Sequence, residues 1–226
     1  MIVLVVLMFS LLTLWVSQGP RRWAVAVVAT LAVWLALTAF LARVGVLSQW
    51  TARPPGLALV AGGGLLLAFL LRLTATFRTL LDSTPASWPI GLQVFRVFVE
   101  LILFDLHASG RAPVQVTFAG RNLDILIGLT APLVAWWVAR RRASAWLVLG
   151  WNVLGLGMLA NTVAVVVTST PGPLNLWPGA PFTEILRWPL VWVPAFLAPL
   201  AVLLHVASLR QTIPLLRSTP GTARSG

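Results

Sequence analysis

Apolar residues run through this chain in blocks of fifteen to twenty-five, separated by short stretches that hold most of its arginine, proline and glycine. A bilayer core takes about 20 apolar residues of α-helix. On that measure the chain reads as an all-α polytopic transmembrane bundle of about seven helices. The spans fall at roughly residues 2–16, 23–47, 56–80, 89–108, 123–139, 145–168 and 189–209. Together they make one transmembrane domain over 1–210. The stretch 211–226, rich in Ser, Thr, Pro and Gly, reads as a short disordered tail. The first block has no basic start, and Trp15-Val16-Ser17-Gln18 does not match a small-residue cleavage site. It therefore reads as a retained helix and not as a leader.

Composition removes the soluble alternatives. The chain is 59% hydrophobic and 9% charged, far below the quarter or so of charged residues that a water-facing surface requires. The formal net charge of +11 comes from arginine alone. Those arginines sit in short loops between apolar blocks, so they signal orientation and not a nucleic-acid-binding face. Arg21, Arg22, Arg78, Arg140, Arg141, Arg142, Arg210, Arg217 and Arg224 fall on one side, and Arg53, Arg111 and Arg121 more sparsely on the other. The positive-inside rule then puts the N-terminus outside and the C-terminus in the cytoplasm. Trp23, Trp50, Trp88, Trp146 and Trp188 at span ends fit an interfacial belt. With no cysteine there are no disulfides and no thiolate chemistry, and with no lysine a retinal Schiff base is excluded. No residue-level repeat, nucleotide-binding loop or serine-nucleophile motif is present.

The chemistry concentrates on the fourth span. Gln93, Arg96, Glu100 and His107 are spaced by three, four and seven residues, which aligns them on one helix face. Ionisable groups in hydrocarbon cost from ~2.5 to over 10 kcal/mol each, so this face is expected to turn toward the bundle interior or a watery cavity. Arg96 and Glu100, at i and i+4, are expected to neutralise each other. Counting depth along the helices puts Asn152 and His205 level with Gln93 and Arg96 in the cytoplasmic half. The same count puts Asn161, Asp124 and Glu184 level with His107 toward the outside. Gln93 and His107 lie about 21 Å apart along the helix, so the two histidines are not expected in one haem or metal site.

Two uses of these residues remain open. Gln93, Arg96, Glu100, Asn152 and His205 form the floor of a ligand site or solute path, or else they fix helix packing as a buried ion pair. His107, Asp124 and Glu184 make a His-plus-carboxylate set that a divalent metal would accept, although no close-spaced ligand motif such as His-Glu-x-x-His occurs. For Asp124 the plainer role is in the first turn of the fifth helix behind Asn122 as N-cap, and for His205 it is a hydrogen-bonded packing residue. Pro189, Pro194 and Pro199 are expected to break the last helix and free carbonyls near Leu190 and Ala195. Gly62, Gly63, Gly64, Gly150, Gly155 and Gly157 are expected to let helices approach closely. The alternating loop from Pro113 to Asn122 reads as an extended surface segment that could cover the fourth span.

The stretches Gln93–Glu100, Thr117–Asp124, Trp151–Gly155 and His205–Gln211 together resemble a group of uncharacterised bacterial seven-helix membrane proteins. That resemblance covers about Trp88 to Gln211 and implies a multi-pass protein of the bacterial cytoplasmic membrane, with no activity attached. The expected function is binding or movement of a small solute, proton or lipid headgroup through a polar intramembrane cavity. An intramembrane metal-dependent enzyme and a non-catalytic assembly subunit are the alternatives. The expected partners are the bilayer, a small polar ligand and either further copies or another membrane protein, with no nucleic acid and no resident cofactor.

Overall fold

The computed structural model describes residues 1–217. Its helices are α1 (Ile2–Val16), α2 (Arg21–Arg43), α3 (Gly56–Leu73), α4 (Ala75–Ser83), α5 (Ser87–Gly91), α6 (Phe95–Ala108), α7 (Ile125–Ala139), α8 (Ala145–Ser169) and α9 (Ala198–Arg217). A 3-10 turn, Leu92–Val94, joins α5 to α6, and a π-helical segment, Val193–Leu197, leads into α9. Four stretches are long and apolar enough to cross a membrane: Arg21–Arg43, Gly56–Leu73, Ala145–Ser169 and Val193–Leu216. Ile2–Val16 and Ile125–Ala139 are shorter apolar helices. Large apolar side chains such as Val3, Leu14, Val33, Phe40, Leu129 and Leu154 stand exposed around the bundle. Such a surface needs lipid to cover it.

The helix ends follow local chemistry that hydropathy alone does not see. α2 stops short of its expected end at 47, because Val44 leaves the helix and Gly45 turns into the left-handed region at φ 76°. The expected third span breaks at Thr74, whose backbone is extended (φ −67°, ψ 140°) and whose hydroxyl accepts the Phe77 N–H at 3.2 Å. A β-branched hydroxyl residue that can cap a new helix is a natural place to stop an old one, and α4 begins there. At the other end of the chain α9 continues through Arg217, so the first part of the expected disordered tail is helical. The remainder of that tail, 218–226, lies outside the described residues.

The segment Pro113–Asn122 differs most from expectation. It is not an extended strand over the surface. Val114–Val116 forms a 3-10 turn, and Val116, Thr117 and Asn122 are buried. The loop folds into the bundle, and α7, about 22 Å long at 1.5 Å per residue, starts from the buried end of that loop.

α9 is the centre, buried along most of its length, and α3 and α8 pack on it. α2 lies outermost and is held by two indoles. Trp34 Nε1 donates to the Ala195 carbonyl at 2.9 Å, and Trp192 Nε1 donates to the Leu35 carbonyl at 3.0 Å. The first bond is a consequence of Pro199: without an N–H, Pro199 leaves the carbonyl four residues earlier free, and Trp34 takes it. A broken helix with a freed carbonyl was expected here, and that carbonyl accepts the indole that holds α2. Of the six glycines expected at tight interfaces, Gly63, Gly64 and Gly155 have close neighbours, whereas a Cβ at Gly62, Gly150 or Gly157 would meet open space.

A Cβ at Gly64 would sit 2.3 Å from the Ala195 carbonyl oxygen. Gly64→Ala should therefore force α3 off the π segment and destabilise by about 1–3 kcal/mol. Gly62→Ala, two residues away, should be neutral. Reversible unfolding of both variants in mixed micelles checks the contrast.

Candidate functional site

The buried polar residues of α6 meet partners from three directions: the entry to α7, the middle of α8 and the start of α9. Arg96 is 2% exposed. Its guanidinium grips Asp124 as a fork, with Nε to Oδ2 at 2.7 Å and Nη2 to Oδ1. Planar two-point recognition of this kind is the strongest form of charged hydrogen bond. Nη2 also lies 3.4 Å from the Gly155 carbonyl, and Nη1 lies 2.9 Å from Nε2 of His205.

That last contact assigns the histidine. Arginine has donors only, so Nε2 must accept, which leaves the imidazole neutral with its proton on Nδ1. Nδ1 then donates to Asn152 Oδ1 at 2.9 Å, and Asn152 Nδ2 donates to Val148 O at 2.8 Å and to Ser208 Oγ at 2.9 Å. The result is one directed chain, Asp124–Arg96–His205–Asn152–Ser208, across four elements. Gly155 makes room for it: a Cβ there would meet the His205 ring at 2.3 Å.

Glu100 belongs to a neighbouring cluster. It is 1% exposed, and its Oε1 accepts Asn122 Nδ2 at 2.6 Å. Asn122 also donates to Val116 O at 3.1 Å, and its Oδ1 accepts the Asp124 N–H at 3.2 Å and Thr162 Oγ1 at 2.6 Å. Asn122 thus links Glu100 to the Asp124 backbone. Glu100 Oε2 has no hydrogen-bond partner among the described residues. Gln93 is buried and donates to Ala201 O at 3.1 Å.

Several expectations change. Arg96 pairs with Asp124 and not with Glu100. The i, i+4 spacing permits the latter contact, but a carboxylate arriving on α7 head-on to the guanidinium offers two bonds. Asp124 is therefore not level with His107. The buried loop lowers the start of α7, and Gly128 lets that helix press onto the backbone at Val97. Asn122 is not the N-cap of α7; Asp124 occupies that position and makes no side-chain cap bond. The proposed metal set does not assemble. His107 Nδ1 contacts Ala112 O at 3.0 Å, Asp124 holds Arg96, and Glu184 pairs with Arg187 at 2.9 Å. No group of three or more His, Cys, Asp or Glu residues suited to a metal occurs among the described residues. Arg96, Asn152 and His205 do come together as their depths indicated, with Gln93 and Glu100 on adjoining turns.

Thr162 and Ser208 were not foreseen, and Asn122 was expected only as a helix cap. Ser208 lies one turn beyond His205, a spacing that could have flagged it. Nothing local to Thr162 marks it.

A cavity of about 510 Å³ lies beside these clusters. Arg96, Glu100, Asp124 and Thr162 border it on one side. The rest is nearly all apolar, from Ala58, Gly62 and Leu65 of α3, Leu159 and Val163 of α8, and Leu197 and Val202 toward α9. Gly62, Leu65 and Val163 are exposed where they line it, and so are Pro55, Gly172, Pro173 and Leu174 in the loops before α3 and after α8, so the cavity reaches the surface both between those helices and at the loops. Its size is that of a small-molecule site.

The chain belongs to a family defined by a domain of unknown function, DUF8737, whose model matches residues 54–213. The match begins ahead of α3 and so reaches further toward the N-terminus than the resemblance over Trp88–Gln211. It takes in every residue of both clusters and of the cavity wall except Trp50. No curated protein matches the chain. No solved structure matches it.

Because Asp124 carries the Arg96 counter-charge, Asp124→Asn should cost about 3 kcal/mol or more by leaving a buried guanidinium unpaired. Glu100→Gln keeps an acceptor for Asn122 and should change stability by about 1 kcal/mol or less. Equal losses in an unfolding titration would mean that Glu100, and not Asp124 alone, neutralises Arg96.

Proposed function

We propose that this is a multi-pass protein of the bacterial cytoplasmic membrane that binds, and through that binding moves or senses, an amphiphile entering sideways from the lipid. Seven helical segments would cross the bilayer, with the N-terminus outside and the C-terminus in the cytoplasm. Loop contacts support that path. Trp15 bonds Thr84 at 2.8 Å and Gln211 bonds the Leu81 and Thr84 carbonyls at 2.9 and 2.8 Å, which gathers the arginine-rich end. At the opposite end Arg43 lies over Trp188 at 4.1 Å and Arg121 over Trp177 at 4.9 Å.

One observation carries the ligand reading: Glu100, a buried carboxyl residue, lines an apolar cavity that reaches the exposed faces of α3 and α8 as well as the adjoining loops. The sequence raised three ligand classes: a small solute, a proton and a lipid headgroup. Apolar walls and a lateral mouth suit a molecule that is itself mostly apolar with one polar end. A hydrated solute would have to shed its water against hydrocarbon, at a cost of several kcal/mol for each polar group left unpaired. The Arg96–Asp124 pair and the Asn122 cluster would hold the polar end of the cavity rigid.

Gly62 provides the test, because its position is open and lines the cavity. Wild-type protein should co-purify with amphiphiles detectable by lipid mass spectrometry, and Gly62→Trp should fill the mouth, leave stability within about 1 kcal/mol and remove them. An unchanged amphiphile complement in Gly62→Trp would overturn the reading. Orientation is tested separately, since the native chain has no cysteine to remove. A single cysteine at Ala52 should react with an impermeant maleimide in intact cells, and one at Ala143 only after lysis.

A further inference from the structure

Charge at the polar end of the cavity narrows the ligand further, on the footing that the cavity is a lateral amphiphile site. Among the residues lining it, Arg96, Asp124 and Glu100 are the ionisable ones: one guanidinium against two carboxyls. Asp124 takes the guanidinium by its fork. Arginine offers five N–H donors. Nε–H goes to Asp124, one from Nη1 to His205, and those of Nη2 to Asp124 and the Gly155 carbonyl. Arg96 is thus committed both in charge and in nearly all its donors. His205 adds no positive charge, because its Nε2 accepts from Arg96.

What remains for a ligand is acceptor capacity. Glu100 lines the cavity, has Oε1 bound to Asn122, and has Oε2 buried without a hydrogen-bond partner among the described residues, so a head reaches that oxygen when the side chain turns toward the cavity. Thr162 Oγ1, on the same border, already spends its proton toward Asn122 Oδ1 and the Met158 carbonyl, and so presents lone pairs. An anionic head placed here would face a carboxyl with no free cation beside it. A head with N–H donors and a positive charge would find an acceptor and would itself supply the cation that a buried carboxylate needs.

We propose that the cavity selects long-chain amphiphiles with a protonated amine head, which Glu100 Oε2 receives as a charge-assisted hydrogen bond while the chain lies along α3 and α8. The same chemistry has two sources. One is a free lipophilic amine dissolved in the bilayer, and the other is the ammonium end of phosphatidylethanolamine.

The test uses the full chain purified in mild non-ionic detergent, with tritiated dodecylamine binding read by scintillation proximity. Dodecylamine should bind saturably. Dodecyl phosphate and dodecanol at hundredfold excess should leave most of that binding in place. Glu100→Gln should weaken binding at least tenfold, and Gly62→Trp should abolish it. Competition by phosphatidylethanolamine would identify the membrane lipid as the source of the head, and competition by single-chain amines alone would identify the free amine; either supports the proposal. If dodecyl phosphate or dodecanol competes as well as dodecylamine, or if Glu100→Gln binds unchanged, the head-group selection is overturned. In that case loss of all binding in Gly62→Trp would still uphold the cavity as the site. If no dodecyl compound binds the wild type, the lateral amphiphile site falls along with the selection.

Discussion

The bidentate pair between Arg96 and Asp124 is the constraint on which the interior depends. An ion pair in an apolar interior stabilises only when its geometry is good and its other hydrogen-bonding atoms are met, and removal of one partner costs about 3–5 kcal/mol. Here the demands of the guanidinium set the surroundings. One edge requires a carboxylate, so the loop 113–122 must enter the bundle and α7 must begin deep. Another edge requires an acceptor, so His205 must take the tautomer that accepts at Nε2. The tautomer then sets the direction of the Asn152 amide and the bond to Ser208. Gly155 is where α8 can pass the histidine ring. Four separate elements are therefore registered against one side chain.

Seen that way, the two carboxyls on either side of Arg96 divide between them the roles that the sequence left open. Asp124 is the structural one: it is saturated, and it meets the arginine from another helix. Glu100 lines a cavity and is held through Asn122 on one oxygen, while the other is buried without a partner among the described residues. A residue that only fixed packing would gain from pairing both oxygens, since an unpaired buried acceptor costs about 1–3 kcal/mol. Gln93 Oε1 is likewise buried without a partner among the described residues, but Gln93 does not line the cavity, whereas Glu100 does, as a binding role would require.

The sequence made the all-α, lipid-covered character legible, and much of the polar centre with it. Helical spacing placed Gln93, Arg96 and Glu100 on one face, and depth counting brought Asn152 and His205 to Arg96. Both inferences rest on the 1.5 Å rise and 3.6-residue turn, which hold as long as helices are continuous. They fail where the chain is not helical. Asp124 was misplaced because its depth was counted as if α7 began at the outer surface, whereas the buried loop first carries the chain inward. Thr74 and Gly45 end helices inside apolar runs because backbone conformation and capping, not hydropathy, decide such ends. The freed Ala195 carbonyl was foreseen from Pro199, but its partner Trp34, 161 positions away, was not.

The same logic explains why the cavity is invisible in the sequence. Gly62, Gly63 and Gly64 are identical letters in a row, yet one faces the cavity mouth, one meets the Trp34 ring and one presses on the Ala195 carbonyl. A helix advances about 100° per residue, so three adjacent glycines necessarily point to three different surroundings. Two of them draw α2 and the π segment close to α3. The third keeps the opposite side of α3 from filling the gap toward α8. Close packing on one side of α3 and an opening on the other are thus produced by one tripeptide, and the cavity behind that opening is lined by the carboxyl residue that the Arg96–Asp124 pair leaves out.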